Sequence, residues 1–421
     1  MTPMYEDYDD GSRSDVASNA EIESFNDYYD RCNELVEDAD WESSEILAEL
    51  LSCREKHATL PFLRIFDIDD DYPKRNIISN IFDDFIGLHC RVLFHLGRQE
   101  FEDAFATQTM LLQHYNKELL SKEKDANWFI PILYTLCNDL RVIGSMADKH
   151  REIVYEDEKS FYEEAANSIM EDYRICVAEG RNAVDITKKV AILNLTNQLF
   201  RIYFRLNRLH LLKPLIRAIE NAEELHKYFS KPDLVTYNYF VGRKSILDND
   251  LAVAEKSLSF AFDNCPSEAT ENKRRILIYL IPIKMFFGHM PTQNMLDTHD
   301  LSCFQELVFA VKEGNVKRFE KVMEHQEDFF IDSGIYLLIE KLRMTTFLNL
   351  VKAVHKITNA HQIKLDAILA VLKNTGVDVH IDELGCILAN LIVQKKMKGY
   401  VSYVHQTLVL SKVEPFPHAL K

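Results

Sequence analysis

The sequence predicts an all-α protein, in which a solenoid of TPR-like helical hairpins leads into a C-terminal winged helix with a small β-wing. Apolar residues make up 47% of the 421 residues, with only 12 glycines and 11 prolines, so long helices are favoured over tight turns. Apolar residues also recur at helical spacing almost without interruption from Ile22 onward. Near the C-terminus, a short alternating stretch rich in Val, Tyr and Thr predicts the wing.

Successive helices are predicted to pair as antiparallel hairpins. Turns at Gly97–Arg98 and at Asp248–Asp250 are each followed by a helix that carries small residues, and small residues let two helices approach closely, as in stacked TPR-like hairpins. These small residues are Ala104, Ala106, Ala252, Ala254 and Ala261. The predicted helices are residues 22–38, 42–56, 74–97, 100–121, 128–148, 158–179, 184–206, 209–225, 232–248, 251–264, 269–287, 301–313 and 315–327.

The stretch Leu301–Ile357 organises the second half of the chain. A helical hairpin is predicted to turn at Gly314–Asn315, and one long helix is predicted from about Asp332. Arg343 falls inside the apolar arc of that helix, so it is predicted to be a buried ion-pair or hydrogen-bond partner. The apolar residues at helical spacing are Phe309, Val316, Phe319, Val322 and Phe329 in the hairpin, and Ile335, Leu338, Ile339, Leu342, Phe347, Leu350, Val351 and Val354 in the long helix. A narrow strip at the edge of the arc holds Lys341, Lys352 and Lys356.

The last part of the chain predicts the winged helix. Ile363–Lys373 predicts a short amphipathic helix, and a recognition helix is predicted to start near Asp382. Residues 399–411 predict two short strands around His405–Gln406, and no strand is expected elsewhere. Three helices followed by a β-hairpin make a winged helix. The apolar stripe of the recognition helix consists of Ile381, Leu384, Ile387, Leu388, Leu391 and Ile392.

Charge is distributed unevenly along the chain. The formal net charge is −17; residues 1–50 contain 16 acidic residues and two arginines, a net charge of −14, whereas residues 331–421 contain 11 basic and seven acidic residues, a net charge of +4. Residues 1–20 are too polar to bury a core, so they are predicted to be disordered. The acidic head and the mildly basic tail suggest different partners at the two ends.

The eight cysteines are scattered, and none forms a Cys-x-x-Cys pair, which favours free thiols in a reducing compartment. The first ten residues lack the apolar core of a signal peptide. The longest apolar run, Ile276–Phe287, contains Pro282 and Lys284 and is too short to span a bilayer. We therefore expect a soluble intracellular protein that makes no membrane contact.

The sequence carries no recognisable catalytic motif. The sequence contains no GxxxxGK[ST], GxGxxG, HExxH or GxSxG pattern. His89 and His95 are six residues apart and would face different sides of a helix, so both are expected to be ordinary core or surface histidines. The sequence thus predicts a protein that is not an enzyme and has no catalytic residues, no metal site and no cofactor.

The candidate nucleic-acid contacts lie at the end of the recognition helix. Lys395, Lys396 and Lys398 lead into the wing, where a winged helix places cations beside the phosphate backbone. The alternative is that lysines near a helix C-terminus favour its dipole and keep the surface soluble. A charge of +4 is modest, so backbone contacts with strong salt dependence are expected rather than base-specific readout. Asn390 and Gln394, on the polar side of the helix, and the strip of Lys341, Lys352 and Lys356 complete the predicted set.

A second cationic group, Lys273, Arg274 and Arg275, opens a very apolar helix. Positive charge at a helix N-terminus opposes the helix dipole, so an acidic neighbour is implied. The simple interpretation is that this neighbour is an intramolecular carboxylate from an adjacent hairpin.

The hairpin EGNVKRFE at Glu313–Glu320, the pair Phe329–Phe330 and the segment GIYLLIEKLR at Gly334–Arg343 resemble the core of a PCI domain. Subunits of the proteasome lid, the COP signalosome and translation initiation factors share this domain. Continued through FLNLVKAVHKI at Phe347–Ile357, the sequence is most similar to the PCI subunit of the nuclear-pore-associated transcription and mRNA-export (TREX-type) complex. The resemblance extends from about Val184 to the C-terminus and is weaker upstream.

This resemblance implies four segments: a disordered acidic N-terminus (1–20), N-terminal helical repeats (21–183), the helical part of a PCI domain (184–330) and its winged-helix part (331–421). It implies an adaptor in the nucleus and at the nuclear pore, with the cytoplasm as a further location. The implied partners are a larger PCI-type export scaffold, a small acidic Sem-type protein at Lys273–Arg275, and RNA or DNA through a surface shared with the scaffold. Tyr403 and His405 on the wing, which leaves a strand edge that a partner could cover, are the expected scaffold contacts.

A rival interpretation keeps the fold and changes the function. In it, the chain is a purely structural subunit of a signalosome-, proteasome-lid- or initiation-factor-type assembly and does not bind nucleic acid. The two interpretations differ at Lys395, Lys396 and Lys398, whose replacement by glutamate would abolish nucleic-acid binding only in the first.

Overall fold

The structure is a computed structural model that describes residues 22–65, 80–123, 126–151, 160–180 and 186–417. The described residues form two compact units that divide between Tyr237 and Asn238, called here the N-terminal unit and the C-terminal unit. This division falls inside the segment 184–330 that was predicted as one part, so the four predicted segments stay a prediction. The predicted disordered segment 1–20 lies outside the described residues.

The N-terminal unit is a stack of helices, most of which pack mainly on their neighbours in sequence, although α2 packs mainly on α5. This arrangement confirms the predicted helical-hairpin solenoid. Its helices are α1 (Phe25–Asp38), α2 (Trp41–Leu50), α3 (Asn80–Gly97), α4 (Phe101–Tyr115), α5 (Ile130–His150), α6 (Phe161–Val177), α7 (Ile192–Arg205) and α8 (Leu212–Glu220), and α9 (Lys231–Leu247) contains the division between the units.

Several predicted helices are shorter in the structure because single turns flank them. The helix predicted at 42–56 ends at Leu50, and the helix predicted at 209–225 is reduced to α8. The first residues of the helices predicted at 74–97, 158–179 and 184–206 lie outside the described residues. The flanking 3-10 turns are Lys56–Thr59, Pro61–Leu63, Lys188–Ala191, Leu209–Leu211 and Glu223–Leu225, and a π-helical turn spans Asn116–Leu120.

The C-terminal unit continues with helical hairpins and ends in the winged helix. Its elements are α10 (Leu251–Asn264), α11 (Thr270–Phe286), α12 (Gln293–Thr298), a 3-10 turn (Ser302–Phe304), α13 (Gln305–Glu313), α14 (Val316–His325), α15 (Glu327–Asp332), α16 (Tyr336–Glu340), α17 (Leu342–Thr358), β1 (Gln362–Lys364), α18 (Leu365–Asn374), α19 (Ile381–Val393), β2 (Gly399–Ser402) and β3 (Thr407–Leu410). In the described part of the chain, no helix combines the length and the apolar character needed to cross a membrane.

The close contact of α9 with α10 depends partly on the predicted alanines and partly on a glycine that was not singled out. Ala254 and Ala261 are fully buried, but Ala252 is exposed, as is Ala106 in the earlier hairpin. Gly242 on α9 faces Leu258, since a Cβ atom there would lie 2.5 Å from the Leu258 Cγ. The glycine therefore sets the approach of these two helices.

The single long helix predicted from Asp332 is wrong. Helix α15 ends at Asp332, the chain passes through Gly334 with φ +70°, and the apolar segment resumes as α16 and then α17. A residue with positive φ cannot continue a right-handed helix, and glycine adopts that conformation without steric cost. The eight apolar residues predicted for this region are nevertheless all buried.

Two other expectations in this region need correction. Phe309 is 37% exposed, and the Arg318 guanidinium lies 5.2 Å from its ring centre, so it covers the surface of the hairpin and is not part of the core. Arg343 forms the expected ion pair, with Glu320 at 3.0 Å, but its side chain is 47% exposed. An exposed pair of this kind contributes little to stability.

The turn between α13 and α14 is packed directly against α17. Gly314 has φ +72°, and a Cβ atom there would lie 2.4 Å from the backbone nitrogen of Leu350. Asn315 caps α14, because its Oδ1 accepts a hydrogen bond from the Arg318 backbone nitrogen at 3.0 Å. From α17, the Asn349 Nδ2 donates to the Val311 carbonyl at 2.7 Å. The hairpin predicted at Gly314–Asn315 thus anchors the helical part to the winged part.

The winged helix contains one strand more than predicted. Strand β3 lies between β1 and β2 in an antiparallel sheet of order β1-β3-β2, in which Ile363 of β1 pairs with Leu408 of β3. The expectation that no strand would occur outside residues 399–411 is therefore wrong. Strand β1 has only three residues with one inward side chain, which is too short for an alternating pattern. The core of this part includes Leu350, Val354, Ile368, Leu384, Leu388, Leu391 and Leu408.

Candidate partner and nucleic-acid interface

The end of α19 determines where the neighbouring lysines point. The Lys396 backbone nitrogen donates to the Leu391 carbonyl at 3.0 Å, and the Lys395 nitrogen donates to the Ile392 carbonyl at 2.9 Å. This pair of bonds is a Schellman motif, which requires a left-handed residue just after the helix. Lys395 occupies that position with φ +57°. The chain reverses here, so consecutive lysines face different surroundings.

Lys395 is exposed, whereas Lys396 turns back towards the protein. The Lys396 Nζ lies 4.0 Å from the centre of the Phe286 ring on α11 and 3.5 Å from the Thr345 Oγ1 on α17. Burial, with a smaller contribution from the charge of Lys352, lowers the pKa of the Lys396 amine to about 8. Lys396 is therefore a half-buried amine within the C-terminal unit.

The remaining predicted contacts near α19 lie on the surface. Lys398 is exposed and forms an ion pair with Glu414 at 2.7 Å. Asn390 and Gln394 are exposed on α19, as predicted from the polar side of its helical pattern. Lys395, Lys398, Asn390 and Gln394 thus form a continuous polar end of the recognition helix, called here the helix-end surface.

The wing tip is apolar and open to solvent. Tyr403 and Val404 are 80% and 86% exposed, and His405 beside them is also exposed. The Tyr403 hydroxyl lies 3.3 Å from the Asp382 Oδ1 and donates to it, so the wing tip is tied to the start of α19. Exposed large apolar side chains grouped in this way mark contact surfaces. We call Tyr403, Val404 and His405 the wing tip.

The predicted strip of lysines along the long helix is spread over different contacts. Lys341 lies between α16 and α17 and donates a hydrogen bond to Asn249. The Lys352 Nζ lies 5.9 Å from the centre of the Phe416 ring, and burial lowers the pKa of this amine. Lys356 is exposed one turn further along α17. The structure therefore brings Lys352 towards Lys396 and leaves Lys341 near the α9–α10 turn.

The basic start of α11 is engaged within the protein. Glu271, in the first turn of this helix, lies 3.9 Å from Arg274 and 3.4 Å from Arg275. The Lys273 Nζ lies 5.2 Å from the Phe262 ring centre. Glu271, on the same helix, is thus one acidic neighbour of the kind implied by the sequence. Since all three cations are only partly exposed, an acidic partner would have to compete with Glu271.

Residues that the sequence did not single out also contribute. Val393 at the end of α19 and Tyr400 on β2 are 78% and 61% exposed, which extends the apolar surface beyond the wing tip. Phe286 and Thr345 contact the half-buried Lys396, and Phe416 lies beside Lys352, which is exposed. The alternating pattern of the wing predicted the strands, but it could not show which strand face lacks a covering layer.

Another part of the structure bears on the prediction that the protein has no metal site. In the described ranges, one group of potential metal ligands occurs: His95, Glu100 and Asp103, whose ligand atoms all lie within 4.8 Å of one another. The His95 Nδ1 is 2.9 Å from the Glu100 Oε2, and Arg98 also pairs with Glu100 at 2.9 Å. His95 and Arg98 thus both contact the Glu100 carboxylate, which is itself partly exposed.

The cysteines are free, as expected from the sequence, and most are buried. Burial raises the pKa of Cys32 and Cys176 to about 12, so these groups remain protonated thiols at neutral pH. A protonated thiol is a poor nucleophile. Cys386 on α19 is the exposed one.

Comparison with known proteins places this geometry in a family. The PCI domain family matches residues 322–412, which include the winged helix. A PCI domain-containing protein 2 homolog of Caenorhabditis elegans is 46% identical over 405 residues, covering 94% of this chain and 97% of that protein. The Drosophila melanogaster homolog is 40% identical, with 93% and 98% coverage. PCI domain-containing protein 2 of Danio rerio is 39% identical, with 91% and 96% coverage.

These similarities cover both compact units and not only the winged helix. Proteins of this kind are scaffold-type subunits and are generally non-catalytic. The resemblance to a PCI domain that the sequence suggested is therefore confirmed. The chain belongs to the PCI-domain family, among the relatives of PCI domain-containing protein 2.

Proposed function

We propose that this protein is a non-enzymatic adaptor subunit of an mRNA-export complex of the nuclear pore and nucleus. In this role it binds a larger PCI-type scaffold through the wing tip and contributes to RNA or DNA binding through the helix-end surface. A small acidic protein binds at the helical part, where Lys273, Arg274 and Arg275 are the candidate contacts. The alternative is a structural subunit without a nucleic-acid role.

The observation that carries this proposal is the contrast between two neighbouring exposed surfaces on the winged helix. The helix-end surface offers cations and amides, which contact phosphates and sugars. The wing tip offers Tyr403 and Val404, which are large apolar side chains with almost complete exposure; a buried protein–protein contact uses such residues. An adaptor needs both kinds of surface, whereas a purely structural subunit needs only the second.

The number of free cations favours binding that depends on a partner. Lys395 is exposed without an ion pair among the described residues, while Lys398 is paired with Glu414. Phosphate contacts from only these two lysines would give weak binding with a small salt dependence, in place of the strong dependence expected from the sequence. A scaffold that adds its own cations would extend the surface, so the complex is expected to bind nucleic acid more tightly than the isolated chain.

The test compares three variants of the full chain. Lys395→Gln/Lys398→Gln removes the cations, and Tyr403→Ser/Val404→Ser removes the apolar tip. Lys312→Gln/Lys321→Gln, on exposed positions of α13 and α14, is the control with the same change in net charge. Binding of labelled RNA and duplex DNA is measured over a salt series, and proteins retained from nuclear extract are identified by mass spectrometry.

We expect the lysine variant to retain the scaffold and to lose nucleic-acid affinity, with a salt slope reduced by about 1 to 2 because each lost phosphate contact reduces it by about 1. The wing-tip variant should lose the scaffold, and the control should match the wild type. Recovery of signalosome, lid or initiation-factor subunits, with no nucleic-acid binding in any sample, would instead support the structural alternative.

A further inference from the structure

Two lysines of the C-terminal unit, outside the helix-end surface, approach one another beside aromatic rings. Thr345 and Lys352 are seven residues apart on α17, which places them on the same helix face two turns apart. Lys396 reaches this face from the end of α19, with its Nζ 3.5 Å from the Thr345 Oγ1. Phe286 and Phe416 lie next to the two amines, at 4.0 Å from the Lys396 Nζ and 5.9 Å from the Lys352 Nζ.

Neither amine has a counter-charge in the described part of the chain. Among the residues that the structure describes, no carboxylate lies within ion-pair distance of Lys352 or Lys396, whereas Lys398, two residues after Lys396, is paired with Glu414. Burial lowers the pKa of both amines, and the charge of Lys352 lowers that of Lys396 further. Removing charges from water without an opposite charge is unfavourable. A bound anion would supply the missing opposite charge, so this arrangement favours anion binding.

We propose that Lys352, Lys396 and the Thr345 hydroxyl form a binding site for a small anion that carries a terminal phosphate group. A phosphate dianion matches two neighbouring positive charges, and lysine amines bind phosphate as point charges. The hydroxyl of Thr345 can rotate to donate to a phosphate oxygen once the Lys396 amine turns towards the ligand.

The position of the amines favours a terminal phosphate over the backbone of a duplex. Lys396 is only partly exposed and lies against the Phe286 ring, so a rigid duplex could approach Lys395 but not the Lys396 amine. A terminal phosphate occurs in free compounds such as pyrophosphate and at the 5′ end of a nucleic-acid strand. The inference does not depend on the proposed function, because Lys395, Lys398 and the wing tip take no part in the site.

The experiment measures pyrophosphate binding by the full chain with calorimetry and thermal unfolding, against sodium chloride at equal ionic strength. Lys352→Met and Lys396→Met each remove one amine and keep an apolar stem of similar length. Lys356→Met on α17 and Lys395→Met after α19 are the matched controls, since both remove an exposed neighbouring lysine.

We expect pyrophosphate to raise the unfolding temperature of the wild type and of both controls. Each site variant should bind at least about tenfold more weakly, because it loses one charge-assisted hydrogen bond to the phosphate. Without anion, Lys396→Met should unfold at the same or a higher temperature than the wild type, since it removes a half-buried charge that has no counter-charge.

An equal response to pyrophosphate and to sodium chloride would overturn the proposal, as would unchanged binding in both site variants. If Lys396→Met does not fold, Lys352→Met decides the question alone, because Lys352 is nearer the surface. Tighter binding of a 5′-phosphorylated oligonucleotide than of its 5′-hydroxyl form would identify a strand end as the phosphate source. Pyrophosphate binding without that difference would identify a free anion.

Discussion

At the scale of single residues, the buried histidine His89 on α3 makes the clearest prediction about stability. It is fully buried, and neither ring nitrogen has a hydrogen-bond partner among the described residues. Burial, and to a lesser extent the nearby His57, lowers the pKa of His89 to about 3. The unfolded chain therefore binds a proton below about pH 6.5 that the folded protein does not bind. Stability present at neutral pH is lost as the pH falls from about 6.5 towards 3, by about 1.4 kcal/mol per pH unit.

Replacement of His89 by leucine should remove this dependence. At pH 7 we expect the variant to be as stable as the wild type or more stable, because a buried donor without a partner is removed. The variant's free energy of unfolding, relative to that of the wild type, should be higher at pH 5 than at pH 7 by about 1.5–2 kcal/mol. Denaturant unfolding at both pH values measures the difference, and His405→Gln on the exposed wing tip is the control. If the free energies of unfolding of His89→Leu and wild type differ by the same amount at both pH values, then His89 is protonated in the folded protein at pH 5.

The lysines after α19 show which residue-level features the sequence could predict. Their position at the end of a recognition helix followed from the apolar stripe, since helical spacing alone fixes which face is buried. Their different surroundings did not follow. Lys395 points outward and Lys396 inward because a Schellman motif with a left-handed lysine reverses the chain between them. A lysine is unusual at that position, so no local signal indicated the turn.

At the scale of secondary-structure elements, the contact between the α13–α14 turn and α17 should be the least tolerant of change. Gly314→Ala places a methyl group 2.4 Å from the backbone of α17 and strains a residue with φ +72°. We expect a loss of about 3 kcal/mol or more in the free energy of unfolding. Denaturant unfolding monitored by circular dichroism measures it.

Two other glycines separate the causes of that loss. Gly334→Ala has the same backbone strain, with φ +70°, but no atom within 4 Å of the added methyl group, so a loss of about 1 kcal/mol is expected. Gly385→Ala lies inside α19 with open space and should stabilise by about 0.5–1 kcal/mol. Equal losses at Gly314 and Gly334 would mean that the α13–α14 turn moves away from α17 at little cost.

Sequence patterns predicted long elements better than short ones. The apolar spacing between Ile335 and Val354 identified a buried helical region, but the break at Lys341 between α16 and α17 was missed because the apolar residues on both sides of it remain buried. Strand β1 was missed because three residues carry no periodic signal. Its existence depends on pairing with β3, in which Ile363 lies opposite Leu408, 45 residues later, and this tertiary contact cannot be predicted from the local sequence.

At the scale of the whole molecule, the fold class was predictable because nearly every element has the same period. A chain with few glycines and continuous helical spacing has few alternatives to a helical stack. The small sheet near the C-terminus was also indicated by residues 399–411, which are rich in Val, Tyr and Thr. What the residues alone could not indicate was the division between Tyr237 and Asn238, since it falls inside α9. The proline and the glycine of this helix, Pro232 and Gly242, lie several residues away from the division.

The charge of the whole chain leads to the last prediction. Residues 1–20 contain five acidic residues and one arginine, so their removal changes the formal net charge from −17 to −13. A protein with a strong negative charge repels a nucleic acid before any contact forms. We therefore expect the chain without residues 1–20 to bind RNA on the order of two- to threefold more tightly at about 50 mM salt. The difference should disappear near about 300 mM, where charges are screened within a few ångströms.

A full-length variant with Glu6→Gln, Asp7→Asn, Asp9→Asn, Asp10→Asn and Asp15→Asn keeps the segment and removes its acidic charge, so it should match the deletion. If the deletion instead weakens binding, or if the neutralised variant behaves as the wild type, the segment acts through contacts of its own and not through its charge.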